Sequence, residues 1–185
     1  MSRSLYIIGA PGAGKSTVTR HVVAGLGLSW APDIKVYREL WVNPLLDEDG
    51  VQRGLSLGKE RGAFSGTDAL SMSVLPRALE WLRETELPDF VLGEGARLSS
   101  PKFLVELDQH APLTVGVLVA RWETLATRRA ERDGGDLSDR FVAQASTRAL
   151  NAANAMCAFG YPVTYIDTEE FSPEQAARKL LLEMG

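Results

Sequence analysis

The chain has 185 residues, of which 45% are hydrophobic and 24% charged, and its formal net charge is −4. These values are typical of one globular domain and exclude a disordered or collagen-like chain. No internal repeat, low-complexity tract or linker divides the sequence, so we predict a single domain over residues 1–185. The acidic balance argues against an extended nucleic-acid footprint but leaves room for a local basic cleft.

The single cysteine, Cys157, cannot form an internal disulfide, which favours a reducing compartment. No apolar run approaches the roughly 18 residues of a membrane-spanning helix, and the first run, residues 5–8, is too short for a signal peptide. We therefore expect a cytoplasmic protein without a membrane partner. The oligomeric state does not follow from these features.

The predicted elements alternate between strands and helices. Residues 5–8 form a short apolar run that predicts a strand buried on both faces, and the apolar spacing after Lys15 predicts a helix that ends near Gly25. Further strands are predicted at 89–92, 113–120 and 163–166, with a weaker one at 34–37. Such alternation predicts a parallel sheet with crossover helices.

Helical signals fill the intervals between the predicted strands. Residues 67–86 predict a helix that Pro76 kinks or divides. Ser100 and Ser172 each precede a proline and predict helix N-termini, and the apolar positions between 141 and 156 predict one face of a long helix. The longest irregular segment is predicted at 47–66, with a shorter break at 133–136, and both are candidate lids.

A glycine-rich sequence with the pattern G-x-x-x-x-G-K-[ST] lies between the first predicted strand and the first predicted helix. Its glycines allow backbone angles that turn N–H groups inward, its lysine reaches the outer phosphates of a nucleotide, and its serine hydroxyl ligates magnesium. The sequence resembles the Walker A loop of the P-loop nucleotide-binding superfamily, which implies ATP or GTP with magnesium. The predicted cofactor-binding residues are Gly9, Ala10, Pro11, Gly12, Ala13, Gly14, Lys15, Ser16 and Thr17.

Glu94 ends the apolar run of the strand predicted at 89–92, and Arg97 comes three residues later. A carboxylate in this place lies beside the magnesium shell, so Ser16 and Glu94 are the predicted metal residues. The spacing resembles the acid-x-x-arginine element of small-molecule and nucleotide kinases, in which the acid orients or deprotonates the acceptor and the arginine holds a phosphate. Many nucleotide monophosphate kinases have aspartate here, whereas nucleoside kinases commonly have glutamate. The alternative for Glu94 is an ordinary acid that caps the end of a strand.

Arginines are concentrated between residues 121 and 140. In the kinase branch of the superfamily the corresponding lid supplies arginines that close over the transferring phosphate, where guanidinium groups stabilise developing charge. We therefore predict an arginine lid at about 121–140, with Arg128, Arg129 or Arg132 at the developing charge. Five acidic residues share this segment, so a solvated helix of nearly neutral charge is the alternative for each arginine. The catalytic residues that we assign are Lys15, Glu94, Arg97, Arg128 and Arg132.

The resemblance also implies an acceptor-binding insertion at about 40–86. Arg38 and Glu39 are similar to the arginine-containing element with which thymidylate kinases hold the acceptor phosphate, without the usual proline. Phe64, Thr67 and Asp68 would suit a stacked base or sugar whose hydroxyls are hydrogen-bonded; the alternative is that Thr67 or Asp68 caps a helix. The Gly-Thr-Asp region resembles phage P-loop kinases that phosphorylate hydroxymethylated pyrimidine in DNA.

The sequence has no guanine-reading Asn-Lys-x-Asp, and it is too short for a ring ATPase with a further helical domain. By resemblance of motif order we expect a three-layer α/β sandwich with a five-stranded parallel sheet and helices on both faces. The expected function is an ATP- and Mg²⁺-dependent kinase for a small-molecule nucleotide or nucleoside-like acceptor. The alternatives are a kinase with nucleic acid as polymer substrate, acting on hydroxymethylated pyrimidine in DNA, and a nucleotide-binding regulator without phosphotransfer.

Overall fold

The computed structural model describes residues 2–60, 65–133 and 138–185. Within them the strands are β1 (Arg3–Gly9), β2 (Ser29–Trp30), β3 (Ile34–Tyr37), β4 (Leu40–Leu46), β5 (Gln52–Leu57), β6 (Phe90–Glu94), β7 (Leu113–Val119) and β8 (Val163–Asp167). The α-helices are α1 (Lys15–Gly25), α2 (Val74–Glu84), α3 (Pro101–His110), α4 (Trp122–Asp133), α5 (Asp139–Ala158) and α6 (Pro173–Glu183). A 3₁₀ turn, Thr67–Ala69, precedes α2.

Five parallel strands form the centre of the sheet, in the order β5-β6-β1-β7-β8. At one edge β4 pairs with β5 in antiparallel orientation, and the short strands β2 and β3 both pair with β4. The expected α/β fold and its five-stranded parallel core are therefore confirmed. The described sheet is larger than expected, because three antiparallel strands extend it.

Alternate residues of β1 face opposite sides of the sheet, and helices cover both sides. Tyr6 and Ile8 belong to an apolar core that includes residues of α2, α3 and α5. Leu5 and Ile7 belong to a second core that includes residues of α1 and α6. All four side chains are buried, which explains why β1 is a continuous apolar run rather than an alternating one. The expected three-layer sandwich is therefore confirmed.

The edge of the sheet corrects two expectations. The strand predicted at 34–37 exists, but it pairs with β4 in antiparallel orientation, and the fifth parallel strand is β5. β5 lies inside the segment 47–66 that was expected to be irregular. Gly54 weakens its strand signal and is required there, because a Cβ at this position would lie 2.9 Å from the carbonyl oxygen of Phe90.

Helix α2 begins later than expected and is not divided. Pro76 lies in its first turn, where the missing N–H costs no helical hydrogen bond, so it neither kinks nor breaks the helix. The predicted N-terminal caps are confirmed, because Ser100 accepts a hydrogen bond from the N–H of Phe103 and Ser172 forms a capping box with Gln175. No helix within the described ranges is both long enough and apolar enough to cross a membrane.

Glu169 fastens α4 to the loop that follows β8. Its carboxylate accepts hydrogen bonds from the guanidinium of Arg121 at 3.0 Å, from the backbone N–H of Arg121 at 3.1 Å and from the hydroxyl of Thr124. These bonds hold the pKa of Glu169 at about 2, well below its ordinary value of 4.5. The ionised carboxylate therefore stabilises the folded state.

We expect Glu169→Gln to lower the free energy of unfolding at pH 7 and to flatten its dependence on pH. In the native chain this stabilisation is complete above the unfolded pKa of 4.5 and is lost as the pH falls towards the folded pKa of about 2. Urea unfolding between pH 7 and pH 2 measures both effects. Glu170→Gln is the control, because it removes the same charge from an exposed position one residue away. Equal pH profiles for the native chain and Glu169→Gln would contradict this role.

Candidate active site

The phosphate-binding loop joins the end of β1 to the start of α1. Gly14, which precedes α1, has a φ of 87°, and none of the described side chains caps this helix N-terminus. Gly12 has a φ of 89°, and a Cβ there would lie 2.7 Å from the carbonyl oxygen of Leu125 in α4. Free N–H groups and the helix dipole make the start of α1 suitable for an anion.

Three side-chain oxygens meet beside this loop. Ser16 Oγ donates to Glu94 Oε1 at 2.7 Å, Ser65 Oγ donates to the same carboxylate oxygen at 2.9 Å, and the two hydroxyl oxygens are 2.6 Å apart. Only 3% of Glu94 is exposed. Burial of a carboxylate is costly unless it accepts hydrogen bonds, and the two serines supply them. The structure thus brings the predicted metal residues Ser16 and Glu94 into direct contact.

Residues 65–67 enclose Glu94 from the side of the acceptor segment. Gly66 has a φ of 62°, and a Cβ there would lie 2.6 Å from Glu94 Cγ. Gly58 packs against Gly66, because a Cβ at position 58 would lie 2.0 Å from the Gly66 main chain. A side chain at either glycine would therefore displace the segment that carries Ser65, or Glu94 itself.

Thr67 and Tyr6 support the turn that follows Glu94. Thr67 Oγ1 donates to the carbonyl oxygen of Glu94 at 2.8 Å, and the Tyr6 hydroxyl donates to the carbonyl oxygen of Gly95 at 3.1 Å. Burial raises the pKa of Tyr6 well above its ordinary value, which keeps it a neutral donor. Thr67 is completely buried, and its hydroxyl holds the main chain; its contact with an acceptor stays a prediction. Thr67 does not cap the 3₁₀ turn.

A cleft lies between the phosphate-binding loop, the turn after β6 and helix α5, and it encloses about 850 Å³ including its open mouth. Lys15 Nζ donates to two carbonyl oxygens of its own loop, those of Gly9 at 3.2 Å and Ala10 at 3.3 Å. The cleft brings together seven of the predicted catalytic and binding residues, namely Gly9, Pro11, Lys15, Ser16, Asp68, Glu94 and Arg97.

Two predicted residues on the far wall of the cleft have different surroundings. Asp68 Oδ1 accepts a hydrogen bond from the backbone N–H of Ala96 at 2.7 Å, which fixes the turn between Glu94 and Arg97. Arg97 Nε is buried and has no hydrogen-bond partner among the described residues. A buried guanidinium nitrogen without a partner is costly, so this position favours an anionic ligand in the cleft.

Helix α5 supplies cleft residues that sequence reasoning did not identify. Phe141 and Arg148 line the cleft together with Ala145 and Ala149. The spacing of these positions places them on one face of the helix. Phe141 was expected on the buried face, but 41% of it is exposed, and Val142 is buried instead. The helical spacing between 141, 145 and 148 was a usable signal for Arg148, whereas Ser65 lies in a segment without any periodicity.

Arg38 and Glu39 are not among the residues that line the cleft. They form the turn between β3 and β4, where Arg38 has a φ of 38° and its guanidinium lies 5.7 Å from the ring centroid of Tyr37. Glu39 accepts a hydrogen bond from the hydroxyl of Ser73 at 3.0 Å. Both residues are exposed and make contacts of their own, and the expectation that this pair holds the acceptor stays a prediction.

The arginines of α4 are distributed over two places. Arg128 donates to the hydroxyl and carbonyl oxygens of Thr168 at 2.8 and 2.9 Å, in a second pocket beside Thr17 of the phosphate-binding loop. Arg129 is only 5% exposed and packs against Gly12, and its Nη1 has no hydrogen-bond partner among the described residues. Arg128 thus lies outside the cleft. The Arg132 side chain and Phe64 lie outside the part of the chain that the structure describes.

A family model described as P-loop Nucleotide Kinase3 matches residues 1–133. The chain belongs to this family. It is therefore a P-loop kinase in the general sense, and its acceptor is a separate question. No protein of curated function matches the sequence.

Two solved structures show the same fold. One is an unliganded sugar kinase from Janibacter sp. HTCC2649, with a TM-score of 0.55 and 16% identity over 100% of this chain and 96% of that chain. The other is shikimate kinase from Acinetobacter baumannii in complex with shikimate, with a TM-score of 0.52 and 19% identity over 99% of this chain and 93% of that chain. At these identities the likeness concerns the fold alone.

We expect Gly66→Ala to destabilise the chain by more than Gly50→Ala. Gly50 has a φ of 75°, whereas Gly66 combines a φ of 62° with a ψ of −143°, a conformation essentially restricted to glycine, so Gly66→Ala also carries a backbone cost. A Cβ at position 50 meets no atom within 4 Å, whereas one at position 66 meets Glu94. Denaturant unfolding of the two variants measures the difference, to which the contact with Glu94 and the backbone conformation of Gly66 both contribute. Equal losses would show that the close approach to Glu94 does not constrain the site.

Proposed function

We propose that the chain transfers the γ-phosphate of ATP, with Mg²⁺, to a small nucleotide- or nucleoside-like acceptor bound in the cleft. The observation that carries this proposal is the convergence of Lys15, Ser16, Glu94 and Arg97 on one cleft beside the phosphate-binding loop. The proposal treats residues 1–185 as one kinase domain, with an acceptor segment at about 40–86 and an arginine lid at about 121–140.

The donor nucleotide is assigned to the loop and the second pocket. The backbone N–H groups between residues 9 and 17, where Pro11 has none, and the Lys15 ammonium would hold its outer phosphates. The pocket formed by Ala13, Gly14, Thr17, Val18, Arg128, Thr168, Phe171 and Pro173 would receive the base. The Arg129 side chain packs against Gly12 through its Cγ, and its Nη1 lacks a hydrogen-bond partner among the described residues, so we assign Arg129 to the phosphates.

The residues at the end of the loop fit a magnesium ion. Within the described residues no group of three or more His, Cys, Asp or Glu side chains could hold a metal, so a purely carboxylate site is absent there. Ser16 Oγ and Glu94 Oε1 are hard oxygen donors only 2.7 Å apart, which suits an ion that is shared with substrate phosphates. When bound there, magnesium would offset phosphate charge during transfer.

The acceptor is assigned to the opposite wall of the cleft. Glu94 Oε1 accepts from both serines, and we assign Oε2 to the acceptor hydroxyl, whose proton it takes as the hydroxyl oxygen bonds to the γ-phosphorus. The bond from phosphorus to the β,γ-bridging oxygen breaks in line, and ADP leaves. Arg97 and Arg148 would hold an anionic group of the acceptor, and Phe141 offers an aromatic face.

A transfer assay with γ-labelled ATP against nucleosides, nucleoside monophosphates and hydroxymethylated DNA tests the proposal. We expect label in one of the small acceptors. Label in the polymer alone would favour a DNA-modifying kinase, and tight nucleotide binding without transfer to any acceptor would favour a regulator. Either of those outcomes would overturn the proposed acceptor class.

Lys15→Ala should reduce transfer by roughly 10²- to 10³-fold, because it removes a charged donor aimed at the phosphates. Its free energy of unfolding should change by less than about 1 kcal/mol, since the ammonium makes only two long bonds to carbonyl oxygens. Turnover and urea unfolding measure the two quantities. Lys102→Ala, at an exposed position of α3, is the matched control. Full activity of Lys15→Ala would remove the basis of the proposal.

Arg148→Ala should raise the KM for the acceptor found in that assay by about tenfold, with little change in kcat, because the guanidinium binds an anionic group that does not react. Steady-state kinetics at saturating ATP measure the KM for the acceptor and kcat separately. Arg178→Ala, at an exposed position of α6, controls for the loss of one surface charge. A fall in kcat with an unchanged KM would move Arg148 from acceptor binding to the transfer step.

A further inference from the structure

Ser65 shares one carboxylate oxygen with the serine of the phosphate-binding loop. The three oxygens Ser16 Oγ, Ser65 Oγ and Glu94 Oε1 are separated by 2.6, 2.7 and 2.9 Å. Magnesium binds six oxygens at 2.0–2.1 Å in octahedral geometry, which puts adjacent ligands about 2.9 Å apart. The triangle therefore has nearly the size of one face of a magnesium octahedron.

We infer that Ser65 is a third direct ligand of the metal ion at the Ser16–Glu94 site. This inference rests on the proposed function, which assigns a metal to Ser16 and Glu94. It adds a ligand from the acceptor segment, and this ligand lies outside the sequence pattern of the phosphate-binding loop.

The main chain around Ser65 holds its hydroxyl in place. Gly66 lies directly against the side chain of Glu94, and Thr67 donates to the Glu94 carbonyl oxygen at 2.8 Å. Lys59 and Gly66 exchange backbone hydrogen bonds of 2.8 and 3.1 Å, so the two ends of the loop that contains Ser65 are pinned together. The backbone that directly follows Ser65 is therefore held in place beside Glu94, as a metal ligand requires.

The charge of the triangle also suits magnesium. It contains one carboxylate and two neutral hydroxyls, so it would compensate only one of the two positive charges of Mg²⁺. Nucleotide phosphates would neutralise the other. Magnesium is commonly held in this manner, by one or two carboxylates together with substrate phosphates and water. Binding of the metal–nucleotide would consequently fix the segment that begins the acceptor side of the cleft.

The test is the effect of Mg²⁺ on the affinity for ADP, measured by calorimetry with excess Mg²⁺ and with a chelator. We expect Ser65→Ala and Ser16→Ala each to lose about tenfold or more of the Mg²⁺-dependent gain in affinity, while the affinity without metal is unchanged. Ser71→Ala, at a serine of the same segment whose side chain bonds to Ser73, should keep the full gain. Thermal unfolding of each variant reports its stability.

A change of ligand atom distinguishes a metal ligand from a hydrogen-bonding serine. In a Cys157→Ser background, Ser65→Cys should bind ADP weakly with Mg²⁺ and recover affinity with Cd²⁺, because a thiolate prefers a soft ion. Recovery with Cd²⁺ beyond that of Ser65→Ala supports direct ligation. If Ser65→Cys and Ser65→Ala respond in the same way to Mg²⁺ and to Cd²⁺, direct ligation by residue 65 is overturned.

The remaining outcomes separate this inference from the proposed function. If Ser16→Ala loses the Mg²⁺ gain and Ser65→Ala keeps it, Ser65 is not a ligand and the proposed function stands. If Ser65→Ala weakens ADP equally with and without metal, its role is structural and the inference is overturned. If Ser16→Ala, Ser65→Ala and Glu94→Gln all keep the gain, the metal site of the proposed function fails as well.

Discussion

The buried carboxylate of Glu94 is the interaction on which the rest of the site depends. A charge with 3% exposure persists only if its surroundings supply hydrogen bonds, and Ser16 and Ser65 both donate to Oε1. This requirement brings the end of β6, the start of α1 and the acceptor segment to one point. It also explains Gly66, since any side chain there would occupy the space of Glu94.

Features with local causes were predictable from the sequence. The phosphate-binding loop needs glycines, a lysine and a serine within eight consecutive positions, and β1 needs a short apolar run because both of its faces are buried. The caps at Ser100 and Ser172 follow from side-chain chemistry over three residues. For the same reason the helix that begins at Lys15 and the strand that ends at Glu94 could be anticipated.

Features with tertiary causes were not predictable in the same way. β5 contains Gly54, whose place is set by the Phe90 carbonyl oxygen in the neighbouring strand rather than by its own propensity. Thr67 is of a residue type that could contact an acceptor or cap a helix, yet its hydroxyl donates a hydrogen bond to the carbonyl oxygen of Glu94, 27 positions away in the chain. Arg38 follows a strand as expected, but it lies in the two-residue turn between the paired residues Tyr37 and Leu40 of the β3–β4 hairpin.

Helix α5 shows how an apolar pattern determines the position of polar ligands. Small buried residues at 145, 149, 152 and 153 allow the helix to approach β1, and that approach places Phe141 and Arg148 on the wall of the cleft. The periodicity predicted the helix but not the elements against which its face packs, because these depend on the arrangement of the whole sheet. The positive charge near the loop arises in this way from several elements, while arginines such as Arg53 and Arg83 form ion pairs with surface acids. A net charge of −4 is therefore compatible with a cleft that attracts phosphate, because the acidic residues pair or lie elsewhere.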